Sequence, residues 1–287
     1  MTRPLTVNHA LAAIPALGSG LGYRRELKTG IFDNADAIDF LEIVTEHFTD
    51  DPADRGELAE LCDRFVVIPH GLGLSVGSDR LDADYLASIR RVSDLTASPY
   101  YSEHLAVTRA PGIDIGHLSP IWFTDPVLRR AIDNVRRVQD VLNKPLILEN
   151  VTYPFDIPRA GMRQAEFFTR LVEATECGVL LDVTNLFINA TNHRFDPLAF
   201  LHDMPLGHIV QVHLAGGFTH RGVAIDSHSR PVEAGSWELL DTLAALTPIK
   251  GSILEHDANY PDMTVLIEQI ARARRALATP ACRVLAS

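Results

Sequence analysis

Histidines and carboxylic acids stand at or just beyond the ends of several apolar runs in this sequence, where together they could bind metal ions. The set has four histidines and five acids: His70, His104, His213, His228, Glu103, Glu149, Asp182, Asp226 and Glu255. If the fold brings them together, the acids repel one another, and desolvating each without a partner is costly. We find no Lys or Arg at the matching strand ends, so bound cations are the simplest compensation.

The chemistry of these side chains narrows the identity of the ions. Imidazole mixed with carboxylate, without thiolate, suits iron, manganese or zinc. Nine donors exceed the roughly three to six that one ion takes. We therefore expect two or three ions with at least one bridging carboxylate, for which Glu149 on a central strand is the best candidate.

Other polar side chains near the same strand ends are candidates for supporting the ligands or contacting a substrate. They are Asn150, Asn185, His193, Glu46, His47, His256 and Asp257. We expect Asn150 and Asn185 to be hydrogen-bonding supports. Glu46, His47 and His193 fit a supporting role or a place on the surface equally well.

Eight apolar runs rich in Val, Ile and Leu predict strands that are buried on both faces. They are Gly18–Tyr23, Phe40–Thr45, Phe65–His70, Tyr100–Val107, Pro145–Val151, Gly178–Thr184, His208–Ala215 and Gly251–His256. Helical spacing of apolar residues lies between them, at Ala53–Arg64, Asp82–Leu95, Asp125–Leu142, Met162–Thr175, Asp196–Asp203, Ser236–Ala245 and Asp262–Leu277. Repeated strand–helix units of this kind predict a parallel sheet.

Eight such units in a chain of this length favour a TIM-type (β/α)8 barrel, in which chemistry lies at the C-terminal ends of the strands. A doubly wound open sheet is the alternative. However, GSGLGY has its glycines at 18, 20 and 22 and does not form a convincing GxGxxG phosphate loop. We expect one domain over residues 1–287, with a core of about 18–278 and short extensions at both ends.

Composition limits the class of protein. The 287 residues are 46% hydrophobic and 22% charged, which excludes a disordered chain. The formal net charge of −11 argues against nucleic acid or an anionic membrane as the main partner. No stretch reaches the roughly 18 apolar residues of a membrane span, and the N-terminus is a poor signal peptide. Three scattered cysteines suggest no disulfide framework, so we expect a cytoplasmic location.

Seven short motifs occur in an order that resembles the multinuclear non-heme iron-dependent oxidative enzymes (MNIO). They are HGLGLSVG at 70–77, SEHLAV at 102–107, LENVTY at 148–153, LLDVTNLFINATNH at 180–193, QVHLAGG at 211–217, IDSHSRPV at 225–232 and LEHD at 254–257. The resemblance extends from GSGLGYR near residue 18 to about residue 275. Each motif alone is weak, whereas the ordered set is specific.

The resemblance implies a TIM-type barrel with two or three irons, mixed Fe(II) and Fe(III), at its mouth and O2 as co-substrate. It implies ligands that would carry the catalysis: His70, His104, Glu149, Asp182, His213, Asp226, His228 and Glu255. Glu103 stands where the family usually has Asp, and its extra methylene makes ligation by this residue less secure. His47, His256 and Gly217 also depart from the family pattern.

The family's activity is the modification of ribosomally made precursor peptides in natural-product (RiPP) biosynthesis. The resemblance implies a target at Cys, or at an Asp, Asn or C-terminal residue. It also implies a separate partner protein that binds the leader peptide. Arg24, Arg25 and Arg194 are candidate contacts for a peptide carboxylate, or else solvated surface charges.

Two other classes of function fit the same residues. The first is another barrel enzyme with two or three metal ions, either a sugar isomerase or a phosphodiester hydrolase, and neither needs O2. A sugar isomerase would have a conspicuous Lys near the metals, and we find none. The second is a non-enzymatic barrel that stores, senses or delivers metal or peptide.

Overall fold

The computed structural model describes residues 9–49, 51–110, 112–155 and 161–278. Eight parallel strands close into a barrel. This confirms the predicted (β/α)8 barrel and excludes the open sheet. Cys282 and the outermost residues of the predicted domain lie outside the described residues.

The strands follow the apolar runs of the sequence. In chain order they are β1 (Gly18–Gly22), β2 (Phe40–Val44), β3 (Val66–Gly71), β4 (Tyr101–His104), β5 (Ala106–Ala110), β6 (Ile113–Pro120), β7 (Leu146–Glu149), β8 (Gly178–Asp182), β9 (Ile209–Leu214), β10 (Phe218–His220), β11 (Val223–Ile225) and β12 (Gly251–Leu254). The eight predicted strands are all present in the barrel, where their order is β1-β12-β9-β8-β7-β4-β3-β2.

The helices cover the outside of the barrel. They are α1 (His9–Ala12), α2 (Lys28–Asp33), α3 (Pro52–Arg64), α4 (Ala83–Thr96), α5 (Asp125–Leu142), α6 (Gln164–Thr175), α7 (Val183–His193), α8 (Pro197–Asp203), α9 (Ala234–Leu246) and α10 (Met263–Leu277). Local chemistry fixes several helix ends. Asp82 accepts hydrogen bonds from the amides of Asp84 and Tyr85 at the start of α4. Asn143, at φ 51°, ends α5 in the left-handed conformation.

Several elements differ from the sequence-based prediction, including the helices α1 and α2, for which we predicted no helix. The predicted strand Tyr100–Val107 ends its barrel pairing at His104, and β5 then leaves the barrel in an antiparallel hairpin with β6. The predicted loop after β9 contains a second hairpin, β10–β11. The helix α7 was not predicted, because we interpreted its sequence only as a strand end and a loop. None of the described helices is both long and apolar enough to cross a bilayer.

The interior of the barrel has an apolar layer at its lower end. It is formed by Phe40, Ile68, Tyr100, Ile147, Leu180, Val210 and Ile253, from six of the strands and the residue just before β4. Leu11 and Ile14, from α1 and the turn after it, pack against this layer. The second and larger core lies between the strands and the surrounding helices.

Candidate metal centre

The polar cluster of the barrel is positioned by the pleat of the strands, because residues two apart on one strand face the same side. On five strands, the residue two positions after the apolar-layer residue is polar. These residues are Glu42, His70, Glu149, Asp182 and Glu255. All five are buried. His104 and His213 join them from β4 and β9. The acids and imidazoles therefore form a layer directly above the apolar layer, towards the C-terminal ends of the strands.

Glu149 lies among three imidazoles. Its Oε2 atom is 3.2 Å from His70 Nε2, 3.3 Å from His104 Nε2 and 3.6 Å from His213 Nδ1. The Nε2 atoms of His70 and His104 are 3.4 Å apart. One carboxylate oxygen is thus shared by nitrogens from three different strands.

A second part of the cluster extends to the loop after β11. Glu255 Oε2 is 3.1 Å from His213 Nδ1 and 3.5 Å from His228 Nδ1. His228 Nε2 in turn lies 2.8 Å from Asp226 Oδ1. Asp226 and His228 belong to this loop, as predicted, rather than to a barrel strand.

Four overlapping triads of potential ligand atoms result, with the atoms of each triad within 4.8 Å of one another. They are Glu42–His70–His213, His70–His104–Glu149, Glu149–Asp182–His213 and Asp182–His228–Glu255. Glu149 and Asp182 each belong to two triads, so either carboxylate could bridge neighbouring ions. The predicted ligands in the barrel strands, apart from Glu103, therefore converge on one place.

Six buried polar atoms of this cluster have no hydrogen-bond partner among the described residues. They are Glu149 Oε2, Asp182 Oδ2, Asp226 Oδ1, His213 Nδ1 and both ring nitrogens of His228. Buried polar groups are nearly always paired, so this many unpaired atoms at one site needs a cause. These nitrogens and oxygens lie close together without forming hydrogen bonds. A shared cation would satisfy both kinds of atom, and the donor set therefore fits bound metal ions.

The electrostatics of the cluster push neighbouring carboxyl groups in opposite directions. Burial raises the pKa of Asp182 well above its usual range, and the negative charges of Glu149 and Asp226 raise it further. Burial also acts to raise the pKa of Glu149, but His104 and His213 outweigh it and lower that pKa. Such divergent pKa values are common at functional sites.

Glu103 is the predicted ligand that the fold places elsewhere. It neighbours His104 in β4, so the two side chains face opposite sides of the strand. Its Oε1 accepts the His104 amide at 2.9 Å, and its Oε2 accepts the Leu74 amide at 3.1 Å. Tyr85 of α4 also approaches Oε2, at 3.3 Å. Glu103 therefore faces the helix layer and belongs to none of the four triads.

Glu46 lies next to this group, outside the cluster. Its Oε1 accepts hydrogen bonds from the Leu72 and Gly73 amides and from the hydroxyl of Tyr85. Glu46 therefore holds the loop after β3, the strand that carries His70. This is a supporting position rather than a place on the open surface.

The two predicted asparagines lie where hydrogen-bonding supports are expected. Asn150 accepts the Asp182 amide at 2.9 Å and donates to the Asp182 carbonyl at 3.0 Å. Asn185 donates its backbone amide to Asp182 Oδ1 at 2.8 Å, which caps α7. Its side chain donates to the Asn150 carbonyl. His193 lies farther out, where its ring stacks on Tyr153 with centroids 4.4 Å apart.

A partly buried arginine lies at the mouth of the barrel, which corrects our expectation that none is present there. Arg24 follows β1 and lies 2.5 Å from Asp257 Oδ1 and 3.8 Å from Glu255 Oε1. Asp257 Oδ2 is 3.1 Å from His228 Nδ1, so Arg24 is linked to the cluster through this acid. Arg25 is paired with Asp54. Both arginines are therefore already engaged by acids of the chain.

His47 and His256 lie at the rim of the cluster. His47 is exposed and lines a cavity of about 220 Å³ together with Arg24 and Arg25. His256 is buried, with its ring 6.0 Å from that of Tyr260. Neither histidine belongs to the four triads of ligand atoms.

Sequence reasoning missed Glu42 and Gln211, which are both fully buried inside the barrel. Glu42 is 2.8 Å from His213 Nε2, and Gln211 donates to Glu42 at 2.6 Å. The signal was present, because Glu42 interrupts the otherwise apolar run Phe40–Thr45 two residues after an inward-facing Phe. We had considered only residues at the ends of the runs.

The fold and the site together define the class of protein. It is a (β/α)8 barrel enzyme with a buried cluster at the barrel mouth that could hold metal ions. The chain belongs to the family described as RiPP precursor modification enzyme MbnB/TglH/ChrH, whose model matches residues 18–278. This confirms the resemblance to the MNIO enzymes. A UPF0276 protein of Shewanella oneidensis is 36% identical over 255 residues, covering 88% of this chain and 91% of that protein. A UPF0276 protein of Bordetella parapertussis is 36% identical over 281 residues, covering 94% and 97%.

Solved structures share the barrel but little sequence. A xylose isomerase domain-containing protein from Salmonella typhimurium matches with a TM-score of 0.62 and 13% identity, covering 92% of this chain and 98% of that chain. D-psicose 3-epimerase from Clostridium cellulolyticum matches with a TM-score of 0.56 and 12% identity, covering 91% and 96%. At this identity the likeness shows the fold alone.

Proposed function

We propose that this protein is an iron- and O2-dependent oxidase that modifies a ribosomally made precursor peptide at a Cys, or at an Asp, Asn or C-terminal residue. The observation that carries the proposal is the set of six unpaired buried nitrogens and oxygens in overlapping triads. Membership of a family of RiPP precursor modification enzymes supports the peptide substrate.

Two or three irons would be held by the residues of the cluster. These are His70, His104, Glu149, Asp182, His213, Asp226, His228 and Glu255. When bound, iron would supply the redox chemistry with O2, which protein side chains cannot provide. Imidazole and carboxylate donors suit iron in both of the oxidation states that such chemistry needs.

The chain's own residues would hold the ions rigidly and keep water away from them. Asp182 is fixed by the Asn185 amide and by the two hydrogen bonds of Asn150, so its free oxygen has a defined direction. A layer of mostly apolar side chains lies beneath the cluster and closes the barrel below it. Ligands set on strands in this way are positioned more precisely than ligands on loops.

Asp226 and His228 are the exception, because they lie on the loop after β11. We expect the ion that they help to hold to dissociate first. Asp226→Ala and His228→Ala should each lower the iron content by up to one ion per chain. Full iron content in both variants would contradict this part of the proposal.

The partners and place of the reaction complete the proposal. The substrate is a precursor peptide, and a separate protein binds its leader. Cys62 and Cys177 are free thiols, which favours a reducing compartment such as the cytoplasm. Nucleic acid and membrane are not expected to bind, given the net charge of −11.

The decisive experiment combines co-expression with oxygen consumption. The protein is expressed with short peptides encoded beside its gene, and the peptides are examined by mass spectrometry for a mass change. The purified protein, loaded anaerobically with Fe(II), should consume O2 only when the peptide is present. His70→Ala should abolish both signals, whereas His202→Ala, at an exposed helix position, should leave them intact.

The same experiment separates the alternatives. A sugar isomerase or a phosphodiester hydrolase would turn over without O2, and zinc or manganese would support its activity. A non-enzymatic metal-binding barrel would bind iron and leave every peptide mass unchanged. Either result would replace the proposed oxidase.

A further inference from the structure

Three of the four histidines in the cluster, His70, His104 and His213, have one ring nitrogen held by a residue that is not one of the predicted ligands. His104 Nδ1 is 2.9 Å from the Gly71 carbonyl oxygen. A carbonyl oxygen only accepts, so Nδ1 carries the proton and Nε2 is free to bind an ion. His70 has the same arrangement, with Nδ1 3.0 Å from Ser102 Oγ and Nε2 facing Glu149.

His213 is turned the other way. Its Nε2 atom is 2.8 Å from Glu42 Oε1, while its Nδ1 atom faces Glu149 and Glu255. A carboxylate only accepts hydrogen bonds, so Nε2 is the atom of this pair that can donate. Neither His213 Nε2 nor an oxygen of Glu42 is among the buried atoms without a partner. His213 therefore presents Nδ1 to the cluster, unlike His70 and His104.

The carboxylate that sets this orientation is itself held on its other side. Gln211 donates from Nε2 to Glu42 Oε2 at 2.6 Å. The hydroxyl of Tyr100 donates to Gln211 Oε1, which fixes the direction of the amide. Gln211 Nε2 also lies 3.0 Å from His213 Nε2, but both atoms carry protons, so this is a packing contact.

The oxygens of Glu42 differ from those of the other acids in the cluster. Both Glu42 oxygens have protein partners. In contrast, Glu149 Oε2 and Asp182 Oδ2 are buried without a partner. An oxygen already paired with a donor is poorly placed to bind a cation as well. Glu42 belongs to a triad with His70 and His213 because its oxygens lie close to their ring nitrogens. Its hydrogen bonds argue against a role as a metal ligand.

We propose that Glu42 is a positioning residue and not a metal ligand: together with Gln211 and Tyr100, it fixes the His213 ring so that Nδ1 binds the ion. The chain Tyr100–Gln211–Glu42–His213 runs from the apolar layer up to the cluster, entirely inside the barrel. A carboxylate that accepts the second N–H of a ligating histidine sets the orientation of the ring and makes it a better donor. The inference rests on the metal centre of the proposed function but not on its oxidative chemistry.

The test measures binding of Zn²⁺ alone, which is diamagnetic, to the full chain. Glu42→Gln keeps an oxygen acceptor for His213 but removes the charge. We expect the number of bound ions to be unchanged and one ion to bind about 10–100-fold more weakly. Loss of one ion per chain would mean that Glu42 is a ligand, and unchanged affinity would mean that it has no role. Both results overturn the proposal.

A spectroscopic readout reports the ring nitrogen directly. In the Zn²⁺-loaded protein with ¹⁵N-labelled histidine, long-range ¹H–¹⁵N spectra should show one histidine bound through Nδ1 with a protonated Nε2. That signal should shift in Glu42→Gln, while the signals of the Nε2-bound histidines stay in place. If every zinc-bound histidine in the wild type is bound through Nε2, the proposed orientation of His213 is wrong.

Two further variants keep the test valid if Glu42→Gln does not fold. Tyr100→Phe removes only the hydroxyl that orients Gln211 and should weaken one ion a few-fold; unchanged affinity would contradict the proposal. Ser252→Ala is the matched control, because it breaks the buried Ser19–Ser252 hydrogen bond on the helix side of the barrel. If the wild type binds neither Zn²⁺ nor Fe(II), the proposed function itself is wrong. If the wild type binds metal but the variants do not behave as expected, only the inference about Glu42 is wrong.

Discussion

Asp182→Asn is expected to change the stability of the protein in opposite directions in the absence and presence of metal ions. Asp182 is fully buried, and its Oδ2 atom has no partner. Its Oδ1 atom caps α7 by accepting the Asn185 amide at 2.8 Å. Asparagine keeps an oxygen for this cap and removes the negative charge near Glu149 and Asp226.

The size of the effect follows from these contacts. A buried carboxylate without a partner costs several kcal/mol, whereas an unsatisfied amide group costs about 1–3 kcal/mol. The metal-free variant should therefore be more stable than the metal-free wild type by about 2 kcal/mol. For a domain of this size that corresponds to a rise in Tm of roughly 4–8 °C. Ions at about 100 times their Kd stabilise the wild type by about 2.7 kcal/mol, and the variant should lose most of this gain.

The pH dependence of the metal-free difference has a definite sign. Burial and the neighbouring acids raise the pKa of Asp182 in the folded state above its unfolded value. Its destabilising effect is absent below the unfolded pKa, near about 3.9, and grows as the pH rises towards the folded pKa. The stability advantage of Asp182→Asn should therefore be largest at alkaline pH and shrink as the pH approaches 4.

Thermal unfolding followed by circular dichroism, with chelator or with anaerobic Fe(II), measures both effects. Asp182→Ala is the matched variant, because it removes the charge and the cap together. It should be less stable than Asp182→Asn by about 1 kcal/mol. A metal-free Asp182→Asn that is less stable than the wild type at pH 8 would refute the reasoning, since the buried charge would then have a partner that the structure does not contain.

Three further predictions concern residues around the cluster. Glu103→Gln should keep the full number of bound ions in elemental analysis, because Glu103 accepts hydrogen bonds from backbone amides and does not face the ions. Its unfolding free energy should fall by about 1–2 kcal/mol. Loss of an ion would show that Glu103 is a ligand. Arg24→Met should lower the affinity for the most labile ion about tenfold in a metal titration, because Arg24 holds Asp257, which contacts His228. Unchanged affinity would show that Arg24 does not act on this ion through Asp257. Burial lowers the pKa of His208, so the wild type should lose stability as the pH falls through about 6.5. His208→Gln should lack this pH-dependent loss when the unfolding free energy is measured with denaturant from pH 8 to 5. Parallel plots of unfolding free energy against pH for the two proteins would contradict the prediction.

The strands and the positions of most candidate ligands could be predicted because both depend on local patterns. Apolar runs bounded by helical segments gave all eight barrel strands, and the strand ends gave His70, Glu149 and Asp182 directly. Parallel strands bring their C-terminal ends together, so distant residues could be placed at one mouth without knowledge of any contact.

What could not be predicted depends on the direction of each side chain and on where the chain leaves the barrel. Glu103 and His104 are adjacent, and strand alternation allows only one of them to face inwards, which we did not apply. Glu42 was missed because it lies within a run rather than at its end. The predicted run Tyr100–Val107 extends through the first residues of β5, and its sequence gave us no reason to end the barrel pairing at His104.

The lower end of the barrel is closed by Leu11 and Ile14, packed on the apolar layer. A chain that enters this barrel has no exit on the far side. The proposed peptide would therefore reach the cluster and leave it through the mouth at the C-terminal ends of the strands, which makes that mouth the surface where its target residue is selected.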